Sequence, residues 1–426
     1  MTPAASDWPL TTDEDAPLLR AVQQALTGEG SDKVAVAVSG GGDSLALLDL
    51  VARMQTARGA CTLAVTVDHR LRPEAAVEAR LVADFCATIG VSHRTLVWEH
   101  GPVTGNLQDQ ARRARYRLIG DWARGSGISF VLLGHTADDQ AETFLMGLAR
   151  GAGLDGLTGM RSRWRDEAGA VTWVRPLLGI SRSALRDHLT RRGIAWIDDP
   201  SNDNDRFTRV KARRVLKALK PLGISVAGLT GVVGNLAQAQ TALQATTHEV
   251  ARAIATSTAG EVVFQRLPLL AQPSDIGRRL LVAALRWVSG ADHPPRQADF
   301  ERLLLAVAQG RHATLMGCRI RTSADQVRLQ REDRAVSGIS TPTTELWDGR
   351  WRISGPHHPT LAIRALGSAG LGLCPDWRAT GLPRPVLMAS PAIWQENRLI
   401  AAPLAGFGDD WTAEVRLSFH SSLLSH

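Results

Sequence analysis

Apolar residues recur in two rhythms through the first half of the chain. KVAVAV (33–38), CTLAVTVDH (61–69), SHRTLVWE (92–99) and SFVLLGH (129–135) read as strands, and the unbroken apolar runs among them suit burial on both faces. Each strand is followed by a stretch with helical spacing: SLALLDLVARMQTA (44–57), AAVEARLVADFCATIG (75–90), the basic QDQARRARYRLIGDWARG (108–125) and DDQAETFLMGLARG (138–151). Strand and helix alternating at this interval predict an α/β fold with a parallel sheet covered on both faces.

After about residue 220 the period turns helical, through LAQAQTALQATTHEVARAIA (236–255), IGRRLLVAALRWVSG (276–290) and ADFERLLLAVAQG (298–310). ATLMGCRIRTSADQVRLQRE (313–332) reads as two strands around a polar turn, and SGISTPTTE (337–345) as a linker. The remainder is rich in Pro and Gly with short β-like runs. The expected organisation is a parallel-sheet domain over 1–222, a mostly helical domain over 223–336 and a small mixed α/β module over 337–426. A length of 426 residues fits two or three such domains.

Composition changes this picture little. The net charge of +7, carried mostly by arginine, is compatible with a polyanionic partner and equally with a slightly basic protein of no special partner. Cys61, Cys86, Cys318 and Cys374 are scattered without C-x-x-C spacing, which argues against zinc ribbons, iron–sulfur ligation and redox motifs. The N-terminal stretch has no basic region followed by an apolar one, and no run approaches the roughly 18 apolar residues of a membrane span. The expectation is a cytoplasmic protein with no membrane partner.

The sharpest local signal is AVAVSGGGDSLALL (35–48), a strand, three glycines and the start of a helix. Such a turn aims backbone N–H groups and the positive end of a helix dipole at one spot, and glycine lets an anion come close. No lysine follows, so the loop is neither G-x-x-x-x-G-K-[ST] nor G-x-G-x-x-G. By its residues alone it is either a phosphate cradle or a tight turn with Ser39 capping a helix.

S-G-G-x-D-S is the signature of PP-loop ATP pyrophosphatases, and the chain resembles that superfamily. Within it, VDHRLRPEAAVEA (67–79), NLQDQARRARY (106–116), GHTADDQAETFLMGLARGAGLDGLTGM (134–160), RPLL (175–178) and DDPSNDNDRFTRVKAR (198–213) occur in an order that resembles the tRNA(Ile)-lysidine synthetase family. TLMGCRI, QREDR and LWDGR resemble that family's C-terminal part less specifically. The resemblance implies that Ser39, Gly40, Gly41, Gly42, Asp43 and Ser44 wrap the pyrophosphate portion of ATP. It also implies that Asp43 meets Mg2+. Three departures stand out: Arg70 follows Asp-His where the family has glycine, Thr136 follows His135, and Arg209-Val210-Lys211 replaces R-N-R.

Asp138, Asp139 and Glu142 follow a strand end and a cap at Thr136. They can be dipole-favouring acids, worth about 0.3–1 kcal/mol each. Their place at the C-terminal edge of a parallel sheet instead favours Asp138 and Glu142 as holders of magnesium or a lysine ammonium, with Asp139 turned to structure. His69 and His135, each after a strand, are either satisfied loop histidines or contacts to nucleotide, and Asp68 belongs with them. Arg112 and Arg115, with Tyr116, form either a solvated basic face or, as the resemblance implies, a group with an arginine stabilising the transferring phosphate. The resemblance implies that Arg209 and Arg213 enter the site or meet RNA.

The implied reaction is ATP-dependent joining of L-lysine to C2 of the wobble cytidine in the CAU anticodon of tRNA(Ile), through an adenylated tRNA with loss of pyrophosphate and AMP. A homodimer stays open. So do two alternatives: another PP-loop amidating enzyme using ammonia, and a non-catalytic nucleotide-dependent RNA-binding protein.

Overall fold

Val34, Ala35 and Val36 are sealed from solvent, as a strand at the middle of a covered sheet must be. The structure, a computed structural model, describes residues 13–27, 32–71, 74–101, 105–166, 169–197 and 208–423. Two units emerge, residues 1–240 and 241–426. The DPSNDND stretch lies outside the described residues.

In the first unit the elements run α1 (Ala16–Leu26), β1 (Lys33–Ala37), α2 (Gly42–Ala57), β2 (Cys61–Asp68), α3 (Ala75–Thr88), β3 (Ser92–Val97), α4 (Leu107–Gly125), β4 (Phe130–Leu133) and α5 (Ala137–Leu148). There follow α6 (Leu154–Leu157), β5 (Arg163–Arg165), β6 (Thr172–Val174), α7 (Arg182–Arg191) and α8 (Thr208–Leu219), and then α9 (Val226–Ile254), whose residues fall partly in each unit. The sheet order is β3-β2-β1-β4-β6-β5. Every pairing is parallel except the edge pair β5–β6.

Alternation along the strands sends side chains to two cores. Val34, Val36 and Leu132 pack with Leu45, Leu48 and Val51 of α2 on one face. Ala35, Val65, Val131 and Leu133 pack with Ile119 and Ala123 of α4 on the other. Helix α2 is buried without interruption from Ser44 to Ala52. Each fully buried Leu there contributes roughly 2 kcal/mol, so the helix that begins at the glycine loop is among the best-anchored in the unit. The chain leaves β1 toward β2 on one side and arrives at β4 on the other. The order therefore reverses at β1, and ligands bind outside the carboxyl ends of strands at such a point.

The second unit contains an antiparallel sheet ordered β7-β8-β11-β10-β9. Its strands are β7 (Ala255–Thr258), β8 (Glu261–Gln265), β9 (Ala313–Leu315), β10 (Cys318–Thr322) and β11 (Gln326–Arg331). Two long helices, α11 (Ser274–Ser289) and α12 (Gln297–Ala308), supply Leu280, Leu285, Phe300 and Leu303 to its core, after the short α10 (Arg266–Leu270). Beyond lie β12 (Ser340–Pro342), β14 (Leu361–Ala365), β15 (Pro391–Gln395) and β16 (Arg398–Ala401) as a four-stranded sheet, and β13 (Trp351–Ser354) with β17 (Thr412–Val415) as a pair.

The stretch expected as a linker holds a strand: Ser340, Thr341 and Pro342 pair with Arg364, Ile363 and Ala362 of β14. The turn-rich composition concealed a short edge strand, where proline is tolerated. The hairpin β7–β8 also interrupts a region whose period is otherwise helical. Residues 241–426 group together because buried polar contacts run across position 336. Arg331 forks Asp348 at 2.9 and 3.0 Å and donates to the Gly317 carbonyl. Arg350 donates to the carbonyls of Gly260 and Trp287. TLMGCRI, QREDR and LWDGR thus meet in one clasp.

Candidate active site

The glycine loop closes on itself before helix α2 starts. The Ser44 hydroxyl accepts from the Ser39 amide at 3.1 Å and donates to the Gly41 carbonyl at 2.9 Å. Gly40 takes φ +85, a conformation glycine adopts without a side-chain penalty. Its carbonyl accepts from the Ile197 amide. Across the loop, a Cβ on Gly134 would stand 2.9 Å from the Ser44 Cα and 3.0 Å from the Asp43 carbonyl oxygen. Only glycine at the end of β4 lets that strand press against the first turn of α2.

Helix α5 opens with a capping box: Asp139 accepts from the Thr136 amide, and the Thr136 hydroxyl accepts from the Asp139 amide. The four acids then converge on one arginine. Arg182, first residue of α7, donates from Nε to Asp43 at 3.0 Å and from Nη2 to Asp139 at 3.2 Å, and its Nη1 stands 3.5 Å from Glu142. Its backbone amide donates to Asp138 at 2.7 Å. Glu142, 1% exposed, also accepts from Arg213 Nε at 2.6 Å, and its second oxygen is buried with no hydrogen-bond partner.

Burial raises the Asp43 pKa, Arg182 restrains the rise, and Asp139 and Asp138 add to it. Burial also works against ionised Asp139, yet Arg182, the Thr136 amide and Arg209 outweigh it and hold that carboxyl below its usual value. Arg182 is held more basic than usual: burial opposes its charge, but Asp43, Asp139 and Glu142 prevail.

His135 accepts at Nδ1 from Arg175 Nε at 3.2 Å. Burial, then the charge of Arg175, lowers its pKa to about 3, so it is neutral at neutral pH. His69 is likewise lowered by burial and by Arg115; its Nδ1 is buried without a partner and its ring meets Trp98 edge-on. Arg112 and Arg115 lie over the Tyr116 ring, which contacts Trp164 and Trp173, and the Tyr116 hydroxyl accepts from Arg175. Tyr116 is lowered by Arg112, Arg115 and Arg175 against the effect of burial.

A cavity of about 770 Å³ opens beside these groups. Its wall takes in Ser39, Gly41, Gly42, Asp43 and Ser44 from the loop, together with His69, His135 and Asp139. Arg115, Arg182, Arg186 and Arg213 supply its positive charge. Gly40, Arg112, Tyr116, Asp138, Glu142 and Arg209 are not part of that wall, although Asp138 and Glu142 bond to Arg182, which is. Asp68 is not part of the wall either, and its carboxylate accepts from the Arg70 amide at 2.8 Å. Asp139, expected to serve structure alone, both caps α5 and lines the cavity. Val210 is buried on α8 and Lys211 is exposed, so the altered R-N-R positions are a packing residue and a surface residue.

Arg182, Arg175 and Arg186 were not singled out by sequence reasoning. Arg175 begins the RPLL motif, which was a usable signal. Arg182 follows the cap Ser181, whose side chain accepts from Ala184, and that pattern marks a helix start without telling where its arginine points. The arrangement can hold a polyanion against the α2 N-terminus and a cation against the acids. Among the described residues no three His, Cys, Asp or Glu side chains converge as metal ligands, and no single helix is long and apolar enough to cross a membrane.

A family model described as the PP-loop domain matches residues 15–219. A Ruegeria pomeroyi protein named tRNA(Ile)-lysidine synthase is 46% identical over 413 residues, covering 96% of this chain and 98% of its own length. A Brucella suis protein of the same name is 34% identical, covering 92% of this chain and 90% of its own. One from Anaplasma marginale is 33% identical, with 76% and 72% covered.

Proposed function

Because the chain belongs to the tRNA(Ile)-lysidine synthase family, we propose that the cavity at its glycine loop joins L-lysine to C2 of the wobble cytidine of the CAU anticodon of tRNA(Ile). The chain is an ATP-using ligase of the PP-loop class. The O2 atom of the cytidine bonds to the α-phosphorus of ATP as the bond to the β-phosphate oxygen breaks, and pyrophosphate leaves. The neutral ε-amine of lysine then bonds to C2, AMP leaves with O2, and the amine loses a proton.

The observation that carries this reading is the single cavity lined at once by the loop, four arginines and an acid paired to one of them. The loop hydroxyls and the α2 N-terminus hold the departing diphosphate. Arg115 offsets charge on the phosphorus, with Arg112 and Tyr116 beside it. His69 and His135 flank the nucleotide as neutral hydrogen-bonding groups. Asp138 and Glu142 hold the ammonium of lysine, while Arg209 and Arg213 face the RNA side.

Magnesium fits the donor set in one manner. With no three-ligand cluster among the described residues, Asp43 is the residue that would hold it, through a single carboxylate, in the manner usual for this ion on a nucleotide. It would neutralise the leaving diphosphate. The relatives match along the C-terminal half as well as the ATP-binding half. That disfavours an ammonia-using enzyme with no need for the basic second half. The cytoplasm, where uncharged tRNA and ATP meet, is the matching compartment.

The test is incorporation of labelled lysine into tRNA transcripts. The isoleucine CAU transcript takes up label with ATP and the methionine transcript does not; labelling from ammonia, or RNA binding without AMP release, refutes the reading. Asp43→Ala lowers pyrophosphate release by about 100-fold or more in the same assay.

A further inference from the structure

Arg182 uses three nitrogens on three different carboxylates: Nε on Asp43, Nη2 on Asp139 and Nη1 on Glu142, at 3.0, 3.2 and 3.5 Å. Asp43 belongs to the nucleotide loop, and the other two to the helix that carries the amine-binding acids. Asp138 is bonded to the Arg182 amide rather than to its side chain. The α7 terminus is thus tethered while the guanidinium, 21% exposed, remains at the cavity wall.

We propose that Arg182 is a positioning residue that occupies the ammonium subsite while nucleotide is absent and is drawn off by the phosphates of ATP, so that nucleotide binding opens the place for lysine. This rests on the proposed reaction and deepens it. Arg182 and Arg213 already converge on Glu142, so a third cation at these acids is repelled while Arg182 stays in place. A guanidinium fork also has a better partner than three separate carboxylates once a triphosphate lies against the loop where Asp43 begins α2, because planar bidentate pairing with phosphate suits arginine. Glu142 is prepared for the exchange. Arg213 stays on Oε1 at 2.6 Å, and the buried Oε2 has no partner, leaving an acceptor for one of the three ammonium donors. The consequence is reciprocal coupling between ATP and lysine.

A merely structural clamp makes the opposite prediction for a variant lacking the guanidinium, because loosened acids bind lysine less well. The experiment is equilibrium dialysis of labelled lysine against the full chain, with and without α,β-methylene-ATP, for wild type, Arg182→Gln and Arg182→Lys. Wild type binds lysine about 5-fold or more tighter with the nucleotide analogue. Arg182→Gln binds lysine tighter than wild type when nucleotide is absent, and its ratio falls to about 1. Should Arg182→Gln fail to fold, Arg182→Lys carries the test, since it keeps the charge without the fork; its ratio falls below that of wild type because a lone ammonium pairs less well with the phosphates, while its nucleotide-free binding stays close to that of wild type. Weaker or undetectable nucleotide-free binding in a folded variant, or an unchanged ratio, overturns the inference. Wild type is assayed in parallel for lysine incorporation into the CAU transcript. Loss of incorporation refutes the proposed reaction, whereas incorporation with an unaltered ratio refutes only the role of Arg182.

Discussion

Arg70 shows how one residue carries a local cost for its neighbours. It holds φ +50, and its amide satisfies Asp68. A left-handed non-glycine residue costs about 1–2 kcal/mol, while glycine gives back about 0.5–1 in chain entropy. Arg70→Gly should therefore stabilise the first unit by roughly 0.5 kcal/mol or slightly more. The check is a rise of about 1–2 °C in its thermal midpoint. The ion pair from Arg70 to Glu99, 3.9 Å long and exposed, is too weak to reverse the sign. Asp139 makes a second point at this scale. The same carboxylate closes a capping box and pairs with Arg182, so its replacement removes a helix cap and a site contact together.

At the scale of elements, close approach of β4 to α2 sets the loop. The Gly134 position leaves no room for a methyl group because backbone, not a movable side chain, stands within 3 Å. Gly134→Ala should cost about 1–3 kcal/mol and displace the loop. The measurement is ATP-analogue affinity alongside thermal unfolding; unchanged values in both would contradict the packing argument.

A buried charge network fastens α1, α2 and α7. His188 lies between Asp15 and Asp49 at 2.9 and 3.0 Å, with Arg53 and Arg191 on Asp15 and Arg192 on Asp49. Burial opposes ionised Asp15, but His188, Arg191 and Arg53 lower its pKa from 3.8 to about 2. A depressed acid binds fewer protons folded than unfolded. Its contribution, roughly 2 kcal/mol, is complete above pH 3.8 and disappears as pH falls through about 2. Asp15→Asn should flatten the fall in thermal midpoint over that window, as followed by circular dichroism.

For the whole molecule, the clasp of Arg331, Asp348 and Arg350 holds the second unit across the position where composition suggested a linker. Asp348→Ala leaves two arginines, 11% and 8% exposed, without their carboxylate. The expected loss is about 3–5 kcal/mol. Calorimetry should show an earlier transition for that unit, with nucleotide-analogue binding by the first unit retained. The four leading strands and the helix that follows each were legible because each is declared by the local period of its own residues. The loop and the Thr136 cap were legible for the same reason: their chemistry lies within a few successive positions.

Arg182 was not, since its partners Asp43 and Asp139 are 139 and 43 residues away. No local pattern records such a meeting. The edge strand at Ser340–Pro342 escaped notice because its partner, β14, supplies the hydrogen bonds that make it a strand. By itself the sequence determined the alternating elements, the glycine loop and the acids that follow β4. Tertiary structure alone decided that Asp139 and Glu142 share one guanidinium with Asp43, because side chains distant in the chain interact only after the sheet has brought the ends of β1 and β4 together.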